Sequence, residues 1–400
     1  MATPVIQSVS LNVSHVGLVT SVGPGLLSSV FFAEAGLKSP VASPFFKPRV
    51  EEEELDEPPE PIAIEACPWL EPRLALADRL ARLTLRAAHE ALDAWRAGDE
   101  TRTTPTVWLV VSKERVTTDP ATTARLNEVV WRELRPRNVR ILEEETGAML
   151  AVQEIHAALS AGEPAALLIG VDSFFSPQVA AKLASCPASR WEPEPSTPSE
   201  GAAAVLFTAR ASRHTSLSAS RASTLGVSQV PSSIVDPMGA TSLATSRLSS
   251  SALGADRSAY IARVVAVGAA TGISSEDNEE LQDGLAMTAL VEGLNAAIRP
   301  ELVVGPSNIS LFRSREWEMA ACRAPDKLSP NVRHLDVSTL FGWLGAASAV
   351  AGLVYSIAGT RLGLLKPEDG NWLTAAVWGV SAQGVRGLLA VMTESQGEQP

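Results

Sequence analysis

Cysteine is scarce in this sequence, with three in 400 residues, Cys67, Cys186 and Cys322, and no CxxC pair among them. That spacing offers neither a zinc knuckle nor a disulfide framework, and it fits a reducing cytoplasm. Histidine is nearly as rare: His15, His89, His156, His214 and His334 read as satisfied interior or surface residues rather than a metal pair or a catalytic dyad. No metal and no cofactor is expected. Basic residues are outnumbered, 33 Lys and Arg against 45 Asp and Glu, for a net charge of −12. A polyanion such as nucleic acid therefore meets no general attraction. The first residues, MATPVIQSVSLNV, lack a basic stretch ahead of a continuous apolar core, so no secretory signal is expected.

Aromatic residues make up only 5% of the chain, and abundant Ala, Val and Leu favour helices packed on sheets, an α/β protein. The uncharged run Leu340–Thr360 is long enough to suggest a membrane span, but its Gly and Ser content reads better as a buried central helix.

Periodicity divides the chain. Val5–Val22 reads as a strand closed by the Gly23-Pro24-Gly25 turn, with a short helix over Leu26–Ala35. The acidic, proline-rich segment 47–61 is an exposed loop, because charge repulsion and missing backbone donors keep it out of a core. An amphipathic helix is predicted over Leu70–Ala97, then a strand at Thr106–Val111, a helix at Asp119–Leu134, a strand at Val139–Leu142 and an apolar helix at Gly147–Ala161. Pro164–Val171 and Gly201–Phe207 are unbroken apolar strands. Residues 211–258 are Ser-rich and aperiodic, a partly disordered insertion. Strand and helix patterns resume at Ala259–Gly268, Glu279–Ile298, Leu302–Val304, Arg313–Arg323 and Gly345–Leu362, and the chain closes with strands at Trp372–Val380 and Val385–Met392. The order replays itself. The expectation is two duplicated halves, 1–210 and 259–394, each with its own buried helix, and a tail at 395–400.

Several local strings carry a family resemblance. VGLVTSVGPG followed by AGLKSPV, LSAGEPAALLIGVDSFFSP followed by PSEGAAAVLF, FGWLGAASAVAGLVYSIA, and WGVSAQGVRGLLAVM occur in this order. Together they resemble the β-ketoacyl synthase (ketosynthase) branch of the thiolase superfamily. The resemblance implies a thiolase-like five-layer αβαβα fold with two buried central helices.

It also implies chemistry that the sequence lacks. The family's nucleophilic cysteine stands at the N-terminus of the first buried helix, where free N–H groups and the helix dipole favour a thiolate. The corresponding position falls at Glu145 or Thr146, and the three cysteines lie elsewhere. Thr146 reads as a substitute nucleophile or a helix-start residue; Glu145 reads as a catalytic carboxylate or as an acid favoured by the dipole alone. The family's two histidines, or histidine and asparagine, polarise a thioester carbonyl. The first falls within Asn308–Ser314, where Asn308 could donate to an oxyanion or close a turn, and the second falls at Gly342 or Trp343. Trp343 could plug the acyl tunnel.

The resemblance therefore implies a non-catalytic ketosynthase-like subunit, adaptor or scaffold, either a partner subunit of an acyl-condensing complex or a companion of a secretion-effector cluster. Its partners would be a second copy or an active ketosynthase, with an acyl carrier protein or an effector protein as a further partner. The alternative is an acyltransferase or 3-oxoacyl-acyl-carrier-protein synthase-like enzyme working without the usual cysteine.

Overall fold

The computed structural model describes residues 5–38, 40–42, 63–97, 104–113, 120–176, 197–209, 261–272, 284–306, 311–368, 370–381 and 384–395. The 47–61 loop, the 211–258 insertion, Cys186, His214, Asn308 and all of the 395–400 tail but its first residue lie outside them.

The first half runs β1 (Val5–Thr20), α1 (Leu26–Glu34), β2 (Pro40–Ala42), β3 (Ala63–Glu65), α2 (Leu76–Arg96), β4 (Thr106–Val111), α3 (Pro120–Leu134), β5 (Val139–Glu143), α4 (Gly147–Ser160), β6 (Ala165–Ser173) and β7 (Glu200–Thr208). The second runs β8 (Ala262–Thr271), α5 (Leu285–Glu292), β9 (Leu302–Gly305), α6 (Leu311–Arg323), β10 (Arg333–Asp336), α7 (Val337–Phe341), α8 (Ser348–Arg361), β11 (Trp372–Val380) and β12 (Val385–Glu394).

Strand pairing shows the duplication directly. The first half lies in the order β5-β4-β6-β7-β1 and the second in the order β10-β9-β11-β12-β8. In the first half β4 pairs parallel with β5 and β6 while β7 pairs antiparallel with β6 and β1; in the second β9 pairs parallel with β10 and β11 while β12 pairs antiparallel with β11 and β8. The halves meet where β1 pairs with β8: its first part runs along β8 and its last part along β7, with register shifts between Ser8 and Leu11 and between Val13 and His15. Such irregularities bend a strand and sharpen its twist.

The central strands β4, β6 and β7 are apolar over nearly their whole length because they are covered on both faces. In β4, Val107, Leu109 and Val111 pack against α2 and α3, while Trp108 and Val110 face the opposite side with α4 and α8. In the second half, Val303, Ala376 and Leu388 pack with α5 and α6, while Leu302, Val377 and Leu389 join the central cluster. The layers are thus α2/α3, the first half-sheet, α4/α8, the second half-sheet, and α5/α6. Helix α8 is buried almost all round; its Ser356 and Thr360 hydroxyls donate to carbonyls one turn back, at 2.8 and 2.7 Å, and so escape the cost of unpaired burial.

Some boundaries differ from expectation. Helix α2 begins at Leu76, because residues 67–74 close turns from Leu70 to Cys67 and from Leu74 to Glu71. Helix α5 ends at Glu292, where Gly293 and the Asn295 turn divert the chain. Gly345–Ala347 is a separate short turn of tighter helix ahead of α8. The β2–β3 pair was not anticipated. Among the described residues, no helix is long and apolar enough to cross a membrane.

Candidate functional site

The sharp connection from β5 into α4 sets the site. Glu144 adopts a left-handed conformation, φ 66°, which costs a non-glycine residue about 1 kcal/mol. Its backbone N–H donates to Val111 and its carboxylate accepts from the Lys113 N–H, which ties the elbow to the end of β4. The turn delivers Glu145 and Thr146, both buried, to the N-terminus of the central helix α4. Thr146 occupies the cap position, but its side chain makes no capping hydrogen bond, so the helix-start role rests on its backbone alone.

Glu145 is the centre of the site. One guanidinium nitrogen of Arg313, Nη1, donates to both of its oxygens, at 3.0 and 2.9 Å. The Val380 N–H reaches Oε2 at 3.4 Å. Burial pushes the Glu145 carboxyl up, while the Arg313 charge, that hydrogen bond and the Trp343 indole pull it back. No histidine is among these partners.

Arg313 lies within the window where the resemblance placed the first histidine, on the first turn of α6. One helical turn on, Glu316 is gripped by Arg386 of β12, with Nε at 2.6 Å and Nη2 at 3.0 Å, both side chains almost wholly buried. That second pair fixes α6 on the second half-sheet and so aims Arg313 at the first half.

The loop ahead of α8 closes the other side. Gly342 has φ 71°, and a Cβ there would meet the Ser199 Cβ at 2.6 Å and the Thr197 carbonyl at 2.8 Å. The position thus requires glycine for backbone reasons and holds no side chain. Trp343 exchanges backbone hydrogen bonds with Thr197 and Ser199, at 2.8 and 2.9 Å, and its ring lies 4.5 Å from Phe174. Asp172, buried at the end of β6, accepts from the Ala346 N–H at 3.1 Å. Gly345, at φ 52°, leaves room for it: a Cβ there would lie 2.1 Å from the Asp172 Oδ2.

Three of the positions named from sequence, Glu145, Thr146 and Trp343, therefore converge, Gly342 flanks them, and Asn308 lies outside the described residues. Sequence reasoning passed over Arg313 and Glu144. An arginine inside the window paired with a glutamate bound for burial was the available signal for the first; nothing local marks the second.

The remaining candidates lie apart. Cys67 is buried, its N–H on the Glu200 carboxylate at 2.6 Å, and burial pushes its thiol well up, as expected of an inert cysteine. Cys322 is exposed on α6. His156 is half-buried, 3.4 Å from the Gln7 amide. Trp108, Trp317 and Trp378 are core residues. Among the described residues, no group of three or more His, Cys, Asp and Glu side chains is placed to hold a metal ion.

No protein-family model matches the chain, and no curated protein matches its sequence. Solved structures do match its shape. The ketosynthase from module 6 of the bacillaene synthase from Bacillus subtilis 168 superimposes with TM-score 0.65 at 11% identity, covering 97% of this chain and 72% of that one. The ishigamide ketosynthase/chain length factor gives TM-score 0.59 at 17% identity, over 96% and 99% of the two chains. The chain has the ketosynthase fold. A type II polyketide synthase acyl-carrier protein in complex with its ketosynthase bound to the hexaketide matches as well, with TM-score 0.59 at 12% identity, over 97% and 100%. The duplicated five-layer arrangement is therefore the thiolase-like one that the sequence strings suggested, at identities that show fold alone.

Proposed function

We propose that this chain is a ketosynthase-like subunit that does not condense acyl groups and acts by pairing with a second subunit, a copy of itself or an active ketosynthase, in an assembly served by an acyl carrier protein. The observation that carries the reading is the Glu145–Arg313 ion pair. It stands at the N-terminus of the first central helix, the ketosynthase nucleophile position by resemblance, and its arginine comes from the window of the first histidine. A carboxylate held by a guanidinium has neither the polarisability nor the free lone pairs of a thiolate. The nearby Thr146 hydroxyl has no histidine among the partners described around it to take its proton. Losing nucleophile and acid-base groups together removes such a mechanism as a unit.

Pairing has its own support. Strand β5 ends the first half-sheet, and Ile141 on it, Trp131 on α3 and Leu150 on α4 are exposed apolar residues of adjoining elements. A strand edge with no described strand beside it, accompanied by exposed apolar side chains, is a surface that favours association. The neighbours whose titles name a ketosynthase/chain length factor and a complex with an acyl-carrier protein supply the partner classes.

The test is incubation of the intact protein with acyl- and malonyl-carrier-protein thioesters, followed by intact-mass measurement and assay of released carbon dioxide. No covalent acyl adduct and no decarboxylation are expected. An adduct on this chain would overturn the reading in favour of an acyltransferase.

A further inference from the structure

The second half-sheet ends at β10, which pairs on one side with β9 and on the other with no described strand. Beside that open edge runs a groove of about 660 Å³, walled by α6 on one side and by β10 and α7 on the other. It lies in the second half, and none of its lining residues is among the partners of Glu145.

Three features of the groove point to what it would hold. Trp317 lines it, is only 4% exposed, and stacks on Trp378 at 5.5 Å, which gives the groove a rigid aromatic floor. Among the described residues, the carboxylates lining the groove are Glu318 and Asp336, with no Lys or Arg beside them in its lining. Asp336 also spends its carboxylate on the Ser338 and Thr339 N–H groups, which leaves Glu318 as the group facing a ligand. Partial burial lowers the pKa of His334, against the pull of the Glu318 charge. Finally, the free edge of β10 presents backbone donors and acceptors along the groove, the arrangement used to add an extended strand to a sheet.

We propose that this groove receives an extended, basic segment of a partner polypeptide, added to the edge of β10, with a Lys or Arg side chain against Glu318 and its chain over the Trp317 ring. Backbone pairing supplies the geometry and the acidic wall selects the charge. An amphipathic helix or a small cation would use the wall without the edge.

Cys322 makes the idea testable, since its thiol is exposed in the groove whereas Cys67 is buried. The rate of Cys322 alkylation in the full-length protein, read by mass spectrometry of the peptide that carries it, is measured with three synthetic peptides. These are alternating lysine and valine, alternating glutamate and valine, and the lysine–valine peptide interrupted by prolines, which cannot donate to a strand edge. The first is expected to protect Cys322 and the other two are not. Glu318→Lys is expected to weaken the protective peptide roughly 10-fold, as a like charge replaces an opposite one. Absence of protection by the lysine–valine peptide, equal protection by the glutamate or proline peptide, or an unchanged affinity in the Glu318→Lys variant would each overturn the proposal.

Discussion

Arg313 sets one guanidinium nitrogen on both carboxylate oxygens of Glu145, across the interface between the two duplicated halves. Glu145 is 4% exposed and belongs to the elbow of the first half, while Arg313 belongs to an outer helix of the second. A buried pair of this kind is worth little against an apolar replacement of both partners, but removing one partner strands a charge.

Arg313→Met should therefore destabilise the protein by about 3–5 kcal/mol, and the double variant Arg313→Met/Glu145→Met should recover most of that loss. Urea denaturation of the wild type, both single variants and the double variant closes the cycle. If the loss in the double variant equals the sum of the two single losses, the two side chains are not coupled as described.

Glu90 gives a pH signature. Its carboxylate accepts from the Leu18 N–H at 3.1 Å and from the Leu26 N–H at 2.8 and 2.9 Å, so one side chain of α2 holds the end of β1 and the start of α1. Burial outweighs these bonds and the Arg86 charge, and raises its pKa from 4.5 to about 7. The folded state thus keeps a proton that the unfolded chain releases. Stability from this group is fully present below pH 4.5 and is lost as pH rises through about 7. The loss is on the order of 2 kcal/mol, below what the whole shift implies, because the side chain is only partly buried. Glu90→Gln should flatten the pH dependence of the unfolding free energy between those two values, and a difference curve of constant height would refute the assignment.

Gly345 and Asp172 form the second tie between the halves. Gly345→Ala combines a left-handed backbone with a Cβ 2.1 Å from the Asp172 carboxylate. A cost of at least about 2 kcal/mol is expected. Asp172→Ala in the same chain removes the collision but leaves the Ala346 N–H without its acceptor, so the double variant should regain only part of the loss. Full recovery would show that Asp172 merely fills space.

Much of the fold was readable because strands buried on both faces carry continuous apolar runs, as PAALLIGV and GAAAVLF do, and because the run order repeats. The antiparallel seam of β1 and β8 was not readable, since a 16-residue strand that changes partners midway carries no local mark. The site was half readable. Positions 145 and 343 were singled out by the ketosynthase resemblance, not by any local pattern of their own. Arg313 was not singled out, because its partner lies 168 residues away and their meeting depends on how α6 is pinned by Glu316 and Arg386. The left-handed Glu144 gave no signal either: a non-glycine residue with positive φ is imposed by the turn, not by its own preference.

The edge of β5 offers the most direct test of pairing. Ile141 is 36% exposed on that strand, with Trp131 at 41% on the helix of one layer and Leu150 at 38% on the helix of the other. The three lie on β5 and on helices of the two layers that cover the first half-sheet, and a strand added at this edge would extend the sheet between those layers. Ile141→Asp places a charge where a partner strand would desolvate it, at a cost of several kcal/mol to association, while the exposed monomer surface tolerates it. Sedimentation equilibrium should show self-association in the wild type that Ile141→Asp abolishes, with an unchanged circular dichroism spectrum. A wild-type monomer that nevertheless captures an active ketosynthase, and loses it on Ile141→Asp, points to the heteromeric form of the same pairing. A monomer in both assays, or association indifferent to Ile141, removes β5 as the pairing edge.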